Sequence, residues 1–214
     1  MNASDTRLAL AILGVGHFGR FHALKAAANP RIRLVGLADA DAARAATVAA
    51  EAGTEALPPV AAIAAADAVI IAAPTRFHHD LAMAALAAGK HVFIEKPIAA
   101  TLAQAEALMA AAATARRVLQ VGHIERFSAA FRAVVEAPAG GRALSWEATR
   151  VAPFRPRSLD VSVVLDLMIH DIDLVLTLAG ADPDSVEAVG AAVASDRPDF
   201  AVARLRFPGG RAAT

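Results

Sequence analysis

No cysteine occurs anywhere in the 214-residue chain. Disulfides, thiolate catalysis and cysteine-ligated metals are thereby excluded. Nor is there a charge excess of either sign. The 21 basic residues meet 21 acidic ones, so bulk electrostatics point to no nucleic acid or other polyanion as partner. No apolar stretch has the length to span a bilayer, and no membrane insertion is expected. The polar start, MNASDTR, leads into an apolar run too short for a signal segment with its cleavage site. A soluble, cytoplasmic protein is the expectation. Internal repeats and low-complexity linkers are missing as well. Alanine is what the chain has in plenty, and it supplies much of the 57% hydrophobic fraction. It forms helices readily but adds little burial per residue.

The chain is organised around the stretch LALAILGVGHFGRFHALK. Residues 8–13 form a short apolar run of the kind found in buried parallel strands. Behind it comes Gly14-Val15-Gly16-His17-Phe18-Gly19, and then a segment with helical spacing. A G-x-G-x-x-G loop between strand and helix suits a dinucleotide. The first glycine allows the turn, the second lets backbone amides approach a pyrophosphate, and the third lets the helix pack on the strand. A second strand, residues 31–38, leads to Asp39, twenty residues beyond Gly19. A carboxylate there can take the ribose hydroxyls. It would repel a 2′-phosphate, and Ala40 offers no compensating charge, so NAD is favoured over NADP.

The remaining pattern alternates strand and helix. Residues 42–52 read as a helix stopped by Gly53, and Glu55-Ala56 as a short strand before Pro58-Pro59. A helical turn at 63–66 precedes a strand at 68–72. Thr75 is placed to cap a helix at 77–88, which Gly89 closes. A strand at 91–94, a helix at 101–116 capped by Thr101, and a strand at 118–121 follow. In the longer helix Leu102, Ala105, Leu108 and Met109 share one face. With no hairpin signal, this is an α/β domain over residues 1–121: a Rossmann-type, doubly wound parallel sheet. Past that point the pattern changes. A helix at 128–136, a strand at 143–151, a proline-broken piece, a helix at 163–178 closed by Gly180, and strands at 185–193 and 201–207 describe an α+β domain. Its sheet is expected to be mostly antiparallel. The chain ends soon after the Pro208-Gly209-Gly210 turn, so this domain, residues 122–214, is expected to be incomplete.

Several polar groups sit where such sheets present ligands, at the carboxyl ends of strands. Glu95-Lys96-Pro97 is one, with Lys96 able to reach both nicotinamide and a substrate hydroxyl, although a surface charge pair before a turn would look the same. A cis Lys96–Pro97 bond is allowed there. One of His78 and His79 could line the cofactor groove. His123, Glu125 and Arg126 form either a substrate contact or an interdomain salt-bridged turn. Asp166, His170 and Asp173 recur at steps of four and three, so they share a helix face. Histidine is the natural proton acceptor near neutral pH, and a neighbouring carboxylate would orient it. A structural His–Asp contact is the plainer alternative. Two such groups fall short of a metal shell, and no metal is expected. Arg150, Arg155 and Arg157 could clamp a phosphate or simply be a solvated loop. His22 and His91 are read as packing or surface residues.

In this order the elements resemble the Gfo/Idh/MocA oxidoreductase family. The matching segments are GVGHFG at 14–19, Asp39, APT at 73–75 with His78, EKP at 95–97, VGHIERF at 121–127, and D-x-x-x-H at Asp166 and His170. The resemblance implies Lys96, Asp166 and His170 as the catalytic set. It implies the loop 14–19, Asp39, Ala73, Thr75, His78, Glu95 and Lys96 as the NAD site. Lys96, His123, Arg126, Arg155, Arg157 and His170 would contact substrate. VGHIERF with DLMIHDIDL looks most like the bacterial UDP-sugar 3-dehydrogenases, which oxidise C3 of substrates such as UDP-N-acetylglucosamine. Family chains run longer and often assemble as dimers or tetramers through their open sheet. A free-sugar or inositol dehydrogenase, a non-catalytic NAD sensor, and an S-adenosylmethionine-dependent methyltransferase are the alternatives. Gly19 and EKP count against the last.

Overall fold

A computed structural model describes residues 6–137, 143–153 and 161–214. The chain divides into two compact units, Met1–Gly122 and His123–Thr214.

In the first unit the apolar runs become five parallel strands: β1 (Leu8–Leu13), β2 (Ile32–Ala38), β3 (Ala68–Ile71), β4 (His91–Glu95) and β5 (Leu119–Gly122). Their order is β2-β1-β3-β4-β5. The chain leaves β1 to one side and returns to the other, which opens a crevice at the carboxyl ends of β1 and β3. Five helices connect the strands: α1 (His17–Ala27), α2 (Ala42–Ala52), α3 (Pro59–Ala65), α4 (His78–Ala87) and α5 (Leu102–Ala115).

Period-two alternation in the strands sorts the core into two layers. Ala11, Leu13, Val69 and Ile71 point to one face, where they meet Ile63 of α3, Leu86 of α4 and Leu108 of α5. Ile12 and Leu37 point to the other, against Ala23 of α1 and Val48 of α2. Each large aliphatic side chain fully buried here contributes about 1.5–3 kcal/mol. The many alanines let the helices lie close to the sheet.

Local chemistry sets the helix ends. Asp41 caps α2 by accepting from Arg44 N at 3.0 Å, and Gly53 closes it in the left-handed region. Thr101 caps α5 by accepting from Gln104 N at 3.3 Å. Thr75 does not cap as expected. It begins a 3₁₀ turn, Thr75–Phe77, is itself buried, and α4 starts three residues later with no side-chain cap. Glu55-Ala56 is not a strand but a single parallel bridge, Leu37 to Ala56, because Pro58 and Pro59 leave it no amides to extend a ladder. In α5 only Leu108 of the expected apolar face is fully buried, while Leu102 and Met109 stand in solvent.

The second unit carries α6 (Ala129–Glu136), α7 (Ile169–Ala179) and the strands β6 (Ser145–Trp146), β7 (Ser185–Ala191), β8 (Phe200–Phe207) and β9 (Arg211–Ala213), in sheet order β6-β9-β8-β7. β7 and β8 pair antiparallel, as do β8 and β9, whereas β6 joins β9 in parallel. The strand expected at 143–151 is reduced to two residues. Val175 and Ala179 of α7 pack on Leu205, Phe207 and Ala213 of the sheet. The helix predicted from 163 begins as a π segment, Val164–Met168, before α7 proper, and Gly180 ends it at φ 61°.

Candidate active site

The glycine loop sits at the end of β1, and its three glycines have different reasons to be glycine. Gly14 has φ +87°, and a Cβ there would lie 2.6 Å from Ala73 Cα. A Cβ on Gly19 would lie 2.8 Å from the Gly14 carbonyl carbon, so α1 can approach β1 only without one. Around Gly16 nothing lies within 4 Å of the added carbon. Gly16 is also the N-cap of α1, with no side-chain cap bond and no acidic residue in the first turn. Space together with uncapped amides at a helix start is what a pyrophosphate needs, so the loop fits a dinucleotide. His17 stacks edge-on against Phe18 and Phe21 at 5.3 and 5.0 Å, which holds the outer side of the loop.

Asp39 follows β2 as expected and is tied to the same loop. Its Oδ2 accepts from Val15 N at 2.8 Å, and its Oδ1 from Asp41 N at 2.9 Å and Arg44 Nη2 at 2.7 Å. The corner therefore does hold a compensating charge, supplied by Arg44 across one helical turn rather than by residue 40. Burial pushes the Asp39 carboxyl up, but the bonds from Arg44 and the two amides outweigh it and hold it below its ordinary value. A depressed carboxyl stabilises the fold above the unfolded value, and the benefit is lost as pH falls through the folded one. Thermal unfolding should accordingly show Asp39→Asn less stable than wild type at neutral pH, with the gap closing under acid. An equal gap at every pH would refute this.

The EKP segment closes β4. The Lys96–Pro97 bond is cis. Glu95 Oε1 lies 2.6 Å from His22 Nε2 on α1. His78, 1% exposed, places Nδ1 2.8 Å from Pro97 O and Nε2 2.7 Å from Ala73 O. A backbone carbonyl thus faces each ring nitrogen, and a neutral imidazole has one N–H to donate between them. The ring thereby joins the ends of β3 and β4. His79 pairs with Asp80 at 2.8 Å, and His91 accepts from Val118 N at 3.0 Å. His22 is the residue that sequence reasoning passed over. A helical stripe through Gly19, Ala23 and Ala26, the buried residues of α1, runs beside it and could have marked it as sheet-facing.

In the second unit the polar helix gathers partners from two other segments. Asp173, 7% exposed, takes both arms of the Arg126 guanidinium, Nε at 2.7 Å and Nη2 on the other oxygen. His123 Nδ1 is buried 3.6 Å from Asp173 Oδ1. Arg150 forks onto Asp171 at 2.9–3.2 Å and reaches Glu125 at 3.5 Å. Arg126, expected to contact substrate, is therefore closed on Asp173, and Arg150 is no open clamp. Each ion pair raises its guanidinium above the ordinary value, mainly through the carboxylate hydrogen bond. Asp166 and His170 are half-buried, one on the π segment and one in the first turn of α7. Arg155 and Arg157 lie outside the described residues. A cavity of about 370 Å³ lies between α7 and the sheet, lined by Leu167, Val175, Val202 and Leu205 with Arg150 and Asp171 at its polar end. Among the described residues no group of three or more His, Asp or Glu is placed to hold a metal, and no helix is long and apolar enough to cross a membrane.

Comparison with known proteins agrees with this geometry. Residues 8–123 match the oxidoreductase family with an NAD-binding Rossmann fold, and residues 112–214 match the GFO/IDH/MocA C-terminal domain. The UDP-N-acetylglucosamine 3-dehydrogenase of Acidithiobacillus ferrooxidans is 46% identical over 94% of this chain and 64% of its own. Its solved structure superposes with a TM-score of 0.88, covering 97% of this chain and 68% of that one. An inositol 2-dehydrogenase of Rhizobium meliloti is 34% identical over 84% of this chain and 57% of its own. An NAD-binding protein from Listeria innocua, 28% identical, superposes at 0.82 over 97% of this chain and 65% of that one. The chain thus spans about three-fifths of the length of these curated relatives. Both units and their motifs place it: the chain belongs to the Gfo/Idh/MocA oxidoreductase family.

Proposed function

We propose that the chain serves NAD-dependent oxidation of a secondary hydroxyl on a sugar, at C3 of a UDP-sugar such as UDP-N-acetylglucosamine. The observation that carries this reading is the 46% identity, extending through both units, to a dehydrogenase named for that substrate. Bound NAD would supply the hydride acceptor. The protein's own part is proton handling and charge. His170 removes the hydroxyl proton, and Asp166 orients it. Lys96, at the carboxyl end of β4, hydrogen-bonds the reacting oxygen and stabilises its developing negative charge. Asp39 receives the ribose hydroxyls. With Asp39 and Asp41 both beside Arg44, the corner keeps a net negative charge, which disfavours a 2′-phosphate.

Calorimetric titration of the 214-residue chain with NAD and NADP, followed by UDP-N-acetylglucosamine while nicotinamide reduction is monitored, tests the reading. NAD should bind at least about tenfold more tightly than NADP, a gap of about 1.4 kcal/mol, and the sugar should trigger reduction. A folded sample that binds neither cofactor overturns it. Reduction with inositol in place of the UDP-sugar favours a polyol substrate, the reading supported by the 34% identical inositol 2-dehydrogenase.

A further inference from the structure

We propose that His22 and His78 are positioning residues that grip Lys96 from both sides through its chain neighbours. The inference rests on the role given to Lys96 above, but its geometry stands independently. Lys96 lies between Glu95, whose carboxylate is held by His22 Nε2 at 2.6 Å, and Pro97, whose carbonyl is held by His78 Nδ1 at 2.8 Å. The two rings come from different helices. α1 follows the glycine loop, and α4 follows the Ala73–Thr75 turn, so each arm also ties Lys96 to a part of the dinucleotide site. The second nitrogen of His78 lies 2.7 Å from Ala73 O, so the ring sits between the two strand ends.

Each grip is built rather than incidental. The His22 ring sits edge-on to Phe93 of β4 at 5.5 Å, which fixes its plane. Glu95 Oε2 sits where a Cβ on Gly122 would come within 3.1 Å, so the glycine at the end of β5 leaves the carboxylate its room. His78 is almost wholly buried, and each of its nitrogens faces a backbone carbonyl. A carboxylate next to a lysine would otherwise turn toward it. By engaging Glu95, His22 keeps that side chain on α1, and the backbone anchor at Pro97 prevents the segment from swivelling about its other end. The backbone on either side of Lys96 is thus held in place.

Competitive trace acetylation of the cofactor-free chain, read by mass spectrometry, tests this without substrate or turnover. The lysines are Lys25, Lys90 and Lys96, so the first two serve as internal standards. His22→Ala and His78→Ala should each change the Lys96-to-Lys25 labelling ratio by about threefold or more, the scale of one lost hydrogen bond. The Lys90-to-Lys25 ratio should hold steady. His22→Gln retains an N–H donor toward Glu95 and should keep the wild-type ratio. General loosening would move Lys90 as well and would not be rescued by glutamine. Should His78→Ala fail to fold, the His22 pair decides alone. An unchanged Lys96 ratio in folded His22→Ala, or a His22→Gln protein that behaves like the alanine variant, overturns the proposal. Failure of Lys96 as a catalytic group would instead appear as undiminished turnover in Lys96→Ala, with these ratios unaffected.

Discussion

His170→Ala is expected to lower the rate of sugar oxidation by about 10²–10⁴-fold, the usual worth of a positioned general base. The hydroxyl proton must leave as the carbinol carbon gives up its hydride, and an imidazole is the side chain suited to accept it near neutral pH. The same change should leave NAD affinity nearly intact, because the glycine loop and Asp39, proposed above to receive the dinucleotide, belong to the other unit. The measurement is turnover per folded molecule, paired with calorimetry. Turnover within a few-fold of wild type would remove His170 from its role. A matching fall in NAD affinity would show that the variant had damaged the fold instead.

The second large effect separates two glycines only two residues apart. Gly14→Ala places a methyl against the Ala73 backbone at a φ that L-residues avoid, and should destabilise the first unit by about 2–5 kcal/mol. Gly16→Ala meets nothing within 4 Å in the protein. Its melting temperature should stay within a few degrees of wild type while NAD binding falls by an order of magnitude or more. The reason is that a pyrophosphate bound at this loop would need the space beside Gly16. Chemical denaturation and calorimetry on the two variants give the answer. Equal stability losses, or a Gly16→Ala protein with wild-type affinity, would contradict this division of labour.

The parallel sheet was legible because its strands are unbroken apolar runs and its loops end in glycine or a capping side chain. Gly14, Gly19, Asp39 and Thr101 could be read directly, since each answers a local demand that a single turn imposes. Where reading failed, the decisive partner lay far along the chain. Glu95 and His22 are 73 residues apart, and Arg126 and Asp173 are 47 apart. Periodicity shows that a polar side chain faces inward but not which group awaits it. Arg126 and Arg150 therefore looked like candidates for a ligand until the carboxylates of α7 appeared opposite them. Arg44 is illegible for a related reason: it reaches Asp39 over a helical turn, whereas the residue next to Asp39 in the chain is Ala40. The β6 strand shrank to Ser145–Trp146 because alternation alone cannot supply a pairing edge.

The π segment at Val164–Met168 makes the spacing of Asp166 and His170 a matter of phase. Such a turn holds one residue more than an α turn, so the hydrogen-bond ladder slips by one place between the two side chains. Loss of Leu167 or Met168 would let it rewind as an α-helix and rotate Asp166 by about 100° relative to His170. A one-codon deletion could thus silence or redirect the pair while leaving every named residue in place. Conversely, a relative that keeps D-x-x-x-H letter for letter in a plain α-helix would hold the two side chains at a different angle. Helix winding, as much as residue identity, is then a heritable variable at this position.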